Sequence, residues 1–301
     1  MSPERYRRIT LAALLSLCLI IVTGAAVRLT DSGLGCSDWP GCEDERFVPA
    51  LELNPWIEFG NRLVTGVVSA AVILAVLGSH RLANRRRDLV LLSWGLVAGV
   101  LAQIVVGAFT VWLHLPPWIV MVHFLLSMVL VWNAAVLHHR AGQAEPPAPA
   151  APLPGLPDRG LRALGVWIWV VVVSGTVVTA AGPHRGDPDV EPLDLDLGNV
   201  ARLHGLSVVV FVVMCLVVLG DLRRRGGLDA IVRALEVVLA VTIAQAGVGY
   251  VQYFTDVPPL LVGIHIAGAT ALFYAVVRLG LVRRDHRPSD DTEPRRDALV
   301  P

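Results

Sequence analysis

The segments AQIVVGAFTVWLHLPPWIVMVH (residues 102–123) and AQAGVGYVQYFTDVPPLLVGIH (residues 244–265) stand 142 residues apart and share their landmarks. Ala102-Gln103, Gly107, Pro116-Pro117 and His123 in the first return as Ala244-Gln245, Gly249, Pro258-Pro259 and His265 in the second. Self-similarity at a fixed offset marks a chain built of two like halves. In each copy a Pro pair interrupts the apolar run, and a His falls just inside the run that follows. An ionisable or polar side chain within an apolar span is costly, so it points to function.

Working outward, 54% of the 301 residues are hydrophobic and mean hydropathy is +0.62, which places the chain among membrane proteins. All 25 basic residues are Arg, balanced by 25 acidic ones. They fall in short clusters between apolar runs, which argues against a nucleic-acid surface. A membrane span takes about 20 mostly apolar residues. Eight stretches qualify: Ile9–Leu29, Trp56–Ser79, Leu89–Leu113, Trp118–Leu137, Leu161–Ala181, Val200–Leu219, Ala234–Phe254 and Leu260–Leu281. The first follows Arg5, Arg7 and Arg8 and so resembles a signal peptide. It is expected to be a retained span, because the repeat needs four spans on each side. The expected fold is an all-α membrane protein with eight transmembrane helices, arranged as two pseudo-symmetric parallel four-helix bundles. Residues 1–140 form the first half and 161–284 the second. A Pro/Ala-rich linker (141–160, centred on Ala144–Pro157) joins them, and 285–301 is a tail.

Arg placement sets the expected orientation. The segments Arg81–Arg87, Arg140–Arg162 and Arg223–Arg233, and the Arg-bearing tail, share the N-terminal side. The other side carries the acidic stretches Asp38–Glu52 and Asp187–Asp196. The positive-inside rule puts both termini in the cytoplasm of a cell-membrane protein. His123, His204 and His265 then lie near the extracytoplasmic face. The repeat pairs His204, in Ala201-Arg202-Leu203-His204-Gly205, with Asn61, in Glu58-Phe59-Gly60-Asn61-Arg62. The spacing agrees: 62 residues separate Asn61 from His123, and 61 separate His204 from His265.

Two imidazoles on different helices of a four-helix bundle suit haem iron held from both faces, and His204 with His265 form such a pair. Zinc would need three or four ligands at closer spacing. The plainer alternative is that each His only hydrogen-bonds between helices. In the first half Asn61 is a poor iron ligand, so His123 would hold a haem from one side and leave the other open. Glu58, Asn61 and Arg62 share one helix face. Glu58 can act as a proton carrier or stabilise a developing cation, or it can simply pair with Arg62. Arg62 and Arg202 are candidates for haem propionates, the alternative being interfacial snorkelling. Cys36 and Cys42 lie in an outer loop where oxidation is feasible, either bridged over the first-half site or as free thiols. Cys18 and Cys215 read as buried small apolar residues. No ligation is assigned to His114 and His184 in outer loops, or to the cytoplasmic His80, His138, His139 and His286.

At these residues the chain resembles the haem A synthase family, membrane enzymes that convert haem O to haem A for terminal oxidases. The likeness rests on Thr23-Gly24-Ala25, Val27-Arg28-Leu29-Thr30 and Ser32-Gly33. It rests also on the loop Cys pair, Glu58 followed by Arg62, and Gly182-Pro183-His184. It implies haem b, with its iron, between His204 and His265, and haem O bound in the first half. A ring methyl would be oxidised to a formyl group by successive hydroxylation, with Glu58 at the position of the family's essential acid. Partners implied are haem O synthase and the cytochrome oxidase assembly machinery, within a lipid bilayer; assembly as a homo-oligomer is compatible with this. The chain departs from the family pattern Glu-x-x-His-Arg by carrying Asn61 in place of the His. It also lacks the second Cys pair that some members carry in the later outer loop. Two other classes remain open: a di-haem membrane cytochrome passing electrons from quinol, and a haem transporter or chaperone.

Overall fold

The computed structural model describes residues 1–36, 41–42, 48–49, 51–145, 156–226 and 228–286. Among these it contains eight α-helices and no strand. They are α1 (Pro3–Leu29), α2 (Leu53–His80), α3 (Arg87–Trp112), α4 (Pro117–Ala141), α5 (Leu156–Ala181), α6 (Leu197–Arg225), α7 (Asp229–Phe254) and α8 (Pro259–Asp285). Every helix contains a window apolar enough to cross a bilayer, as a multi-pass membrane protein requires. Each expected span sits inside one helix, except that Leu113 forms the cap after α3 rather than its last residue. At 25 to 29 residues the helices run to about 37–43 Å, so their ends project beyond a hydrocarbon core about 30 Å thick. α5 begins at Leu156, so residues 156–160 of the expected linker are helical. Residues 146–155 of that linker and 287–301 of the expected tail lie outside the described residues.

Local chemistry explains the helix starts. Ser2 caps α1 by accepting from the Arg5 N–H at 3.4 Å, and Pro3 follows where its missing N–H costs nothing. Asp196 caps α6 through the Asn199 N–H at 2.8 Å. The Pro pairs start α4 and α8, and the repeat persists in the turns before them. His114-Leu115 and Asp256-Val257 all adopt positive φ, between 56° and 59°. Leu115 N–H donates to Thr110 O and Val257 N–H to Gln252 O, each at 2.8 Å. These are the same bonds 142 residues apart. A bulky or β-branched residue in the left-handed region costs about 1–3 kcal/mol, so the surrounding loops must hold both turns in place.

Helices α1 to α4 touch in sequence and α4 closes on α1; α5 to α8 touch in sequence and α8 closes on α5. The two rings meet through α1 with α8, α4 with α5, and α4 with α8. Their shared core holds Met128 and Leu137 of α4, Leu164 of α5, Phe211 of α6 and Phe273 of α8, all under 2% exposed. Trp169 of α5 meets Phe273 edge-on at 4.9 Å. Apolar residues also cover the outside, as lipid contact demands; Leu15, Leu77, Leu101 and Val213 are all exposed. With lipid as solvent, close packing and interhelical hydrogen bonds hold the helices together. Tyr6 of α1 bonds Ser93 of α3 at 3.0 Å, and Thr10 bonds His138 of α4 at 3.1 Å.

The two ends of the bundle differ. At one end Arg86 pairs with Asp88 at 2.8 Å, His139 with Asp285 at 2.7 Å, and Arg283 and Arg162 both with the buried Asp158. At the other end the long loops interlock. Gly33 N–H donates to Gly186 O at 2.7 Å, and Arg28 reaches across to His184 O at 2.6 Å and Thr179 O at 2.9 Å. His184 Nε2 in turn bonds Val257 O at 2.7 Å, bracing one of the strained turns.

Candidate functional site

The loop end of the bundle gathers the expected site residues, because α2, α4, α6 and α8 all start there. His204 lies in the second turn of α6 and His265 in the second turn of α8. Their ring centroids are 6.5 Å apart, with planes at 83°. Metal–imidazole bonds are about 2 Å, so two imidazoles on opposite sides of one ion put their ring centres about 6 Å apart. The pair therefore fits iron held from both faces. Among the described residues no group of three or more His, Cys, Asp or Glu could hold a metal, so a zinc-type cage has no ligand set there.

The rings are seated by small residues on the neighbouring helices. A Cβ placed on Gly175 of α5 would sit 3.1 Å from His204 Cε1, and one on Gly249 of α7 would sit 3.3 Å from His265 Cε1. Gly107 of α3 stands in the same relation to His123, at 3.4 Å. These glycines let imidazoles lie against the backbone of the preceding helix. His123 Nδ1 and His265 Nδ1 are buried without a hydrogen-bond partner.

In the first half the structure places Asn61 in the third turn of α2, with the Thr23 hydroxyl of α1 donating to its Oδ1 at 2.7 Å. His123 sits on α4, where Gln103 of α3 donates to its carbonyl at 3.1 Å and to Ser127 Oγ at 2.5 Å. Glu58 is 5% exposed and both its oxygens are engaged. Oε2 accepts from the Cys36 N–H at 2.8 Å, and Oε1 pairs with Arg62 Nη2 at 2.5 Å. Arg62 also donates to Gly41 O. The ion-pair alternative for Glu58 and Arg62 is thus realised, and together they grip both ends of the Cys36–Cys42 loop. That disulfide is formed, with Cα atoms 4.4 Å apart, and the two Cys pack with Phe59 in a small buried cluster. Cys18 and Cys215 are free, and Cys215 is fully buried. Arg202 is exposed on α6.

Sequence reasoning passed over Ser174 and the bracing role of Arg28. Ser174 Oγ lies 3.0 Å from His204 Nδ1. A signal was present: Thr23-Gly24 on α1 and Ser174-Gly175 on α5 are the same hydroxyl-glycine pair in the two halves. His184, treated as a loop residue without ligation, is a structural contact between loops.

The family model of COX15-CtaA, described as cytochrome oxidase assembly protein, matches residues 7–184, more than half of the chain. The chain belongs to this family. The match takes in α1 from its second turn, all of α2 to α5, and Gly182-Pro183-His184. Curated relatives named heme A synthase agree. One from Lysinibacillus sphaericus is 34% identical over 131 residues, 43% of each chain. One from Geobacillus kaustophilus is 30% identical over 145 residues, 42% of this chain and 45% of the relative. One from Symbiobacterium thermophilum is 29% identical over 263 residues, 81% of this chain and 84% of the relative. The chain thus spans less than half the length of the first two relatives and most of the third. The expected all-α fold with eight membrane-length helices and the expected family are borne out.

Proposed function

We propose that the protein is a haem A synthase, an oxidoreductase that converts the ring methyl of haem O to the formyl group of haem A. The observation that carries the reading is the His204–His265 pair at 6.5 Å, set in one half of a repeat whose other half keeps His123 but not its partner. One half is built to hold iron from both sides and the other from one.

A resident b-type haem between His204 and His265 supplies one-electron transfer when bound. The chain's own residues do the rest. His123 holds the iron of the substrate haem from one side. Asn61, held by Thr23, stands on the opposite side without reaching the iron, so that side stays open. Glu58 stabilises positive charge as the methyl is oxidised, since a fixed carboxylate in a water-poor site acts far more strongly than water. Arg62 keeps Glu58 in place through their ion pair, and Arg202 is the better placed of the two Arg residues for a haem propionate. The disulfide loop, held by Glu58 and Arg62, covers this half.

The loop end faces the extracytoplasmic side and the ion-pair end the cytoplasm, in keeping with the Arg clusters. The two rings of helices form pseudo-symmetric halves, consistent with their matched turns. Haem O synthase and the oxidase assembly machinery are the partners such an enzyme needs. The test is pigment analysis in cells lacking their own haem A synthase. Expression of this chain with a haem O supply yields formyl-bearing haem. Haem O accumulating unchanged beside spectrally intact protein overturns the proposal in favour of an electron-transfer cytochrome or a haem carrier.

A further inference from the structure

The hydroxyl-glycine pair on α5 sets a hydroxyl against the Nδ1 edge of the ring beside it. Ser207 Oγ donates to His204 O at 2.7 Å, so its only hydrogen is committed there. Ser174 Oγ donates to Val171 O at 3.0 Å, one turn back on its own helix. Ser174 Oγ still lies 3.0 Å from His204 Nδ1. Ser207 Oγ also lies 3.2 Å from Ser174 Oγ; with the Ser174 hydrogen on Val171 O, the Ser174 oxygen is left to accept from His204 Nδ1, which then carries the proton. A neutral imidazole protonated on Nδ1 has its lone pair on Nε2, the nitrogen then able to bind a metal. The partner ring has no side-chain partner at Nδ1; what lies against His265 is the backbone of Gln245.

We propose that Ser174 is a positioning residue for the resident haem of the second half. It fixes His204 as the Nε2-ligating tautomer and sets the rotation of its ring, while Gly175 provides the room in which that ring turns. The inference rests on the haem reading of the His204–His265 pair. Outer partners of metal-ligating His residues fix tautomer and orientation, and their loss costs about 10–100-fold in metal affinity. Thr23 occupies the matching place in the first half, beside Asn61.

The test uses the full-length protein and haem b as the probe, with Ser174→Thr and Ser174→Val as an isosteric pair. Threonine keeps the hydroxyl, and valine replaces it with a methyl of equal size. The readouts are the low-spin spectrum and the rate of haem transfer to an excess of an apo-globin scavenger. Ser174→Thr should retain haem like the unaltered protein. Ser174→Val should lose it about 10–100-fold more readily and show an altered low-spin signal, with helical content matching the threonine variant. If threonine and valine variants release haem alike, the positioning role is overturned. His204→Ala and His265→Ala separate the two levels of the argument. Loss of the low-spin signal in both, with Ser174→Val unchanged, leaves the haem reading standing and removes Ser174 from it. A low-spin signal that persists in both alanine variants overturns the haem reading itself.

Discussion

Replacing Glu58 with Gln asks whether this carboxylate does chemistry or only ties down a loop. The side chain accepts from the Cys36 N–H at 2.8 Å and pairs with Arg62 at 2.5 Å. Glutamine has nearly the same shape but one acceptor oxygen, so one of these two contacts is lost or turned against a donor. A hydrogen bond to a charged group contributes about 1.5–3 kcal/mol, and the variant should lose about that much stability. If the carboxylate also serves as proton carrier or cation stabiliser, turnover should fall by about 10²–10⁴. That corresponds to about 3–5 kcal/mol of transition-state stabilisation at 1.36 kcal/mol per tenfold. Arg62→Lys is the control. It keeps a cation for Glu58 but gives up the fork that spans Glu58 and Gly41 O, so it loosens the loop and spares the carboxylate. The assay is chromatography of extracted haem, read beside thermal unfolding and the spectrum of the second-half haem. The expected result is that both variants lose similar stability while only Glu58→Gln stops haem A formation. Equal loss of activity in the two variants would refute the chemical role and leave a loop clamp.

Three further outcomes follow from the same geometry. Cys36→Ser opens a short disulfide loop and should cost about 2 kcal/mol by chain entropy, measured as a lower unfolding midpoint that reductant no longer shifts. Asn61→His should raise the share of low-spin haem in protein loaded with substrate haem; an unaltered low-spin share means that the first-half site is not open at Asn61. Arg28→Met leaves His184 O and Thr179 O without their donor, removing two charge-assisted bonds of about 1.5–3 kcal/mol each. Its unfolding midpoint should fall with helical content preserved, and a midpoint equal to that of the unaltered protein would show that the loops do not depend on this bridge.

The eight spans were legible because an apolar run long enough for a bilayer has few alternatives, and every expected span lies within one helix but for its ends. The ends were less legible, since Arg-bearing turns such as Leu222–Arg225 continue a helix beyond the apolar run. The histidines could be read from the repeat, which carries their depth from one half to the other. Ser174 was harder to read: the Thr23-Gly24 and Ser174-Gly175 pairs repeat, but the importance of the serine lies in a contact 30 residues away. The engagement of Glu58 was half legible: helix spacing predicts its pair with Arg62, but the Cys36 N–H comes from a loop whose path no spacing rule gives.

The Asn61 departure follows from the same contact. An asparagine side chain and an imidazole agree as far as the two atoms attached to Cγ; Oδ1 and Nδ2 of Asn correspond to Nδ1 and Cδ2 of His. In the second half the Ser174 hydroxyl meets His204 at Nδ1, and in the first the Thr23 hydroxyl meets Asn61 at Oδ1, the corresponding atom. A hydroxyl from the preceding helix thus meets the ring nitrogen in one half and the amide oxygen in the other, and the contact survives the change of side chain. What asparagine lacks is any counterpart of Nε2, the atom that would extend toward iron. The substitution therefore keeps the inner half of a ligand's seat and deletes only its reach. A haem in the first half would meet His123 on one side and, on the other, a short amide held back against α1. Such a site would admit a reactant to the iron, while the His204–His265 pair would close both sides in the second half; under the proposed function this difference gives turnover to one half and electron transfer to the other.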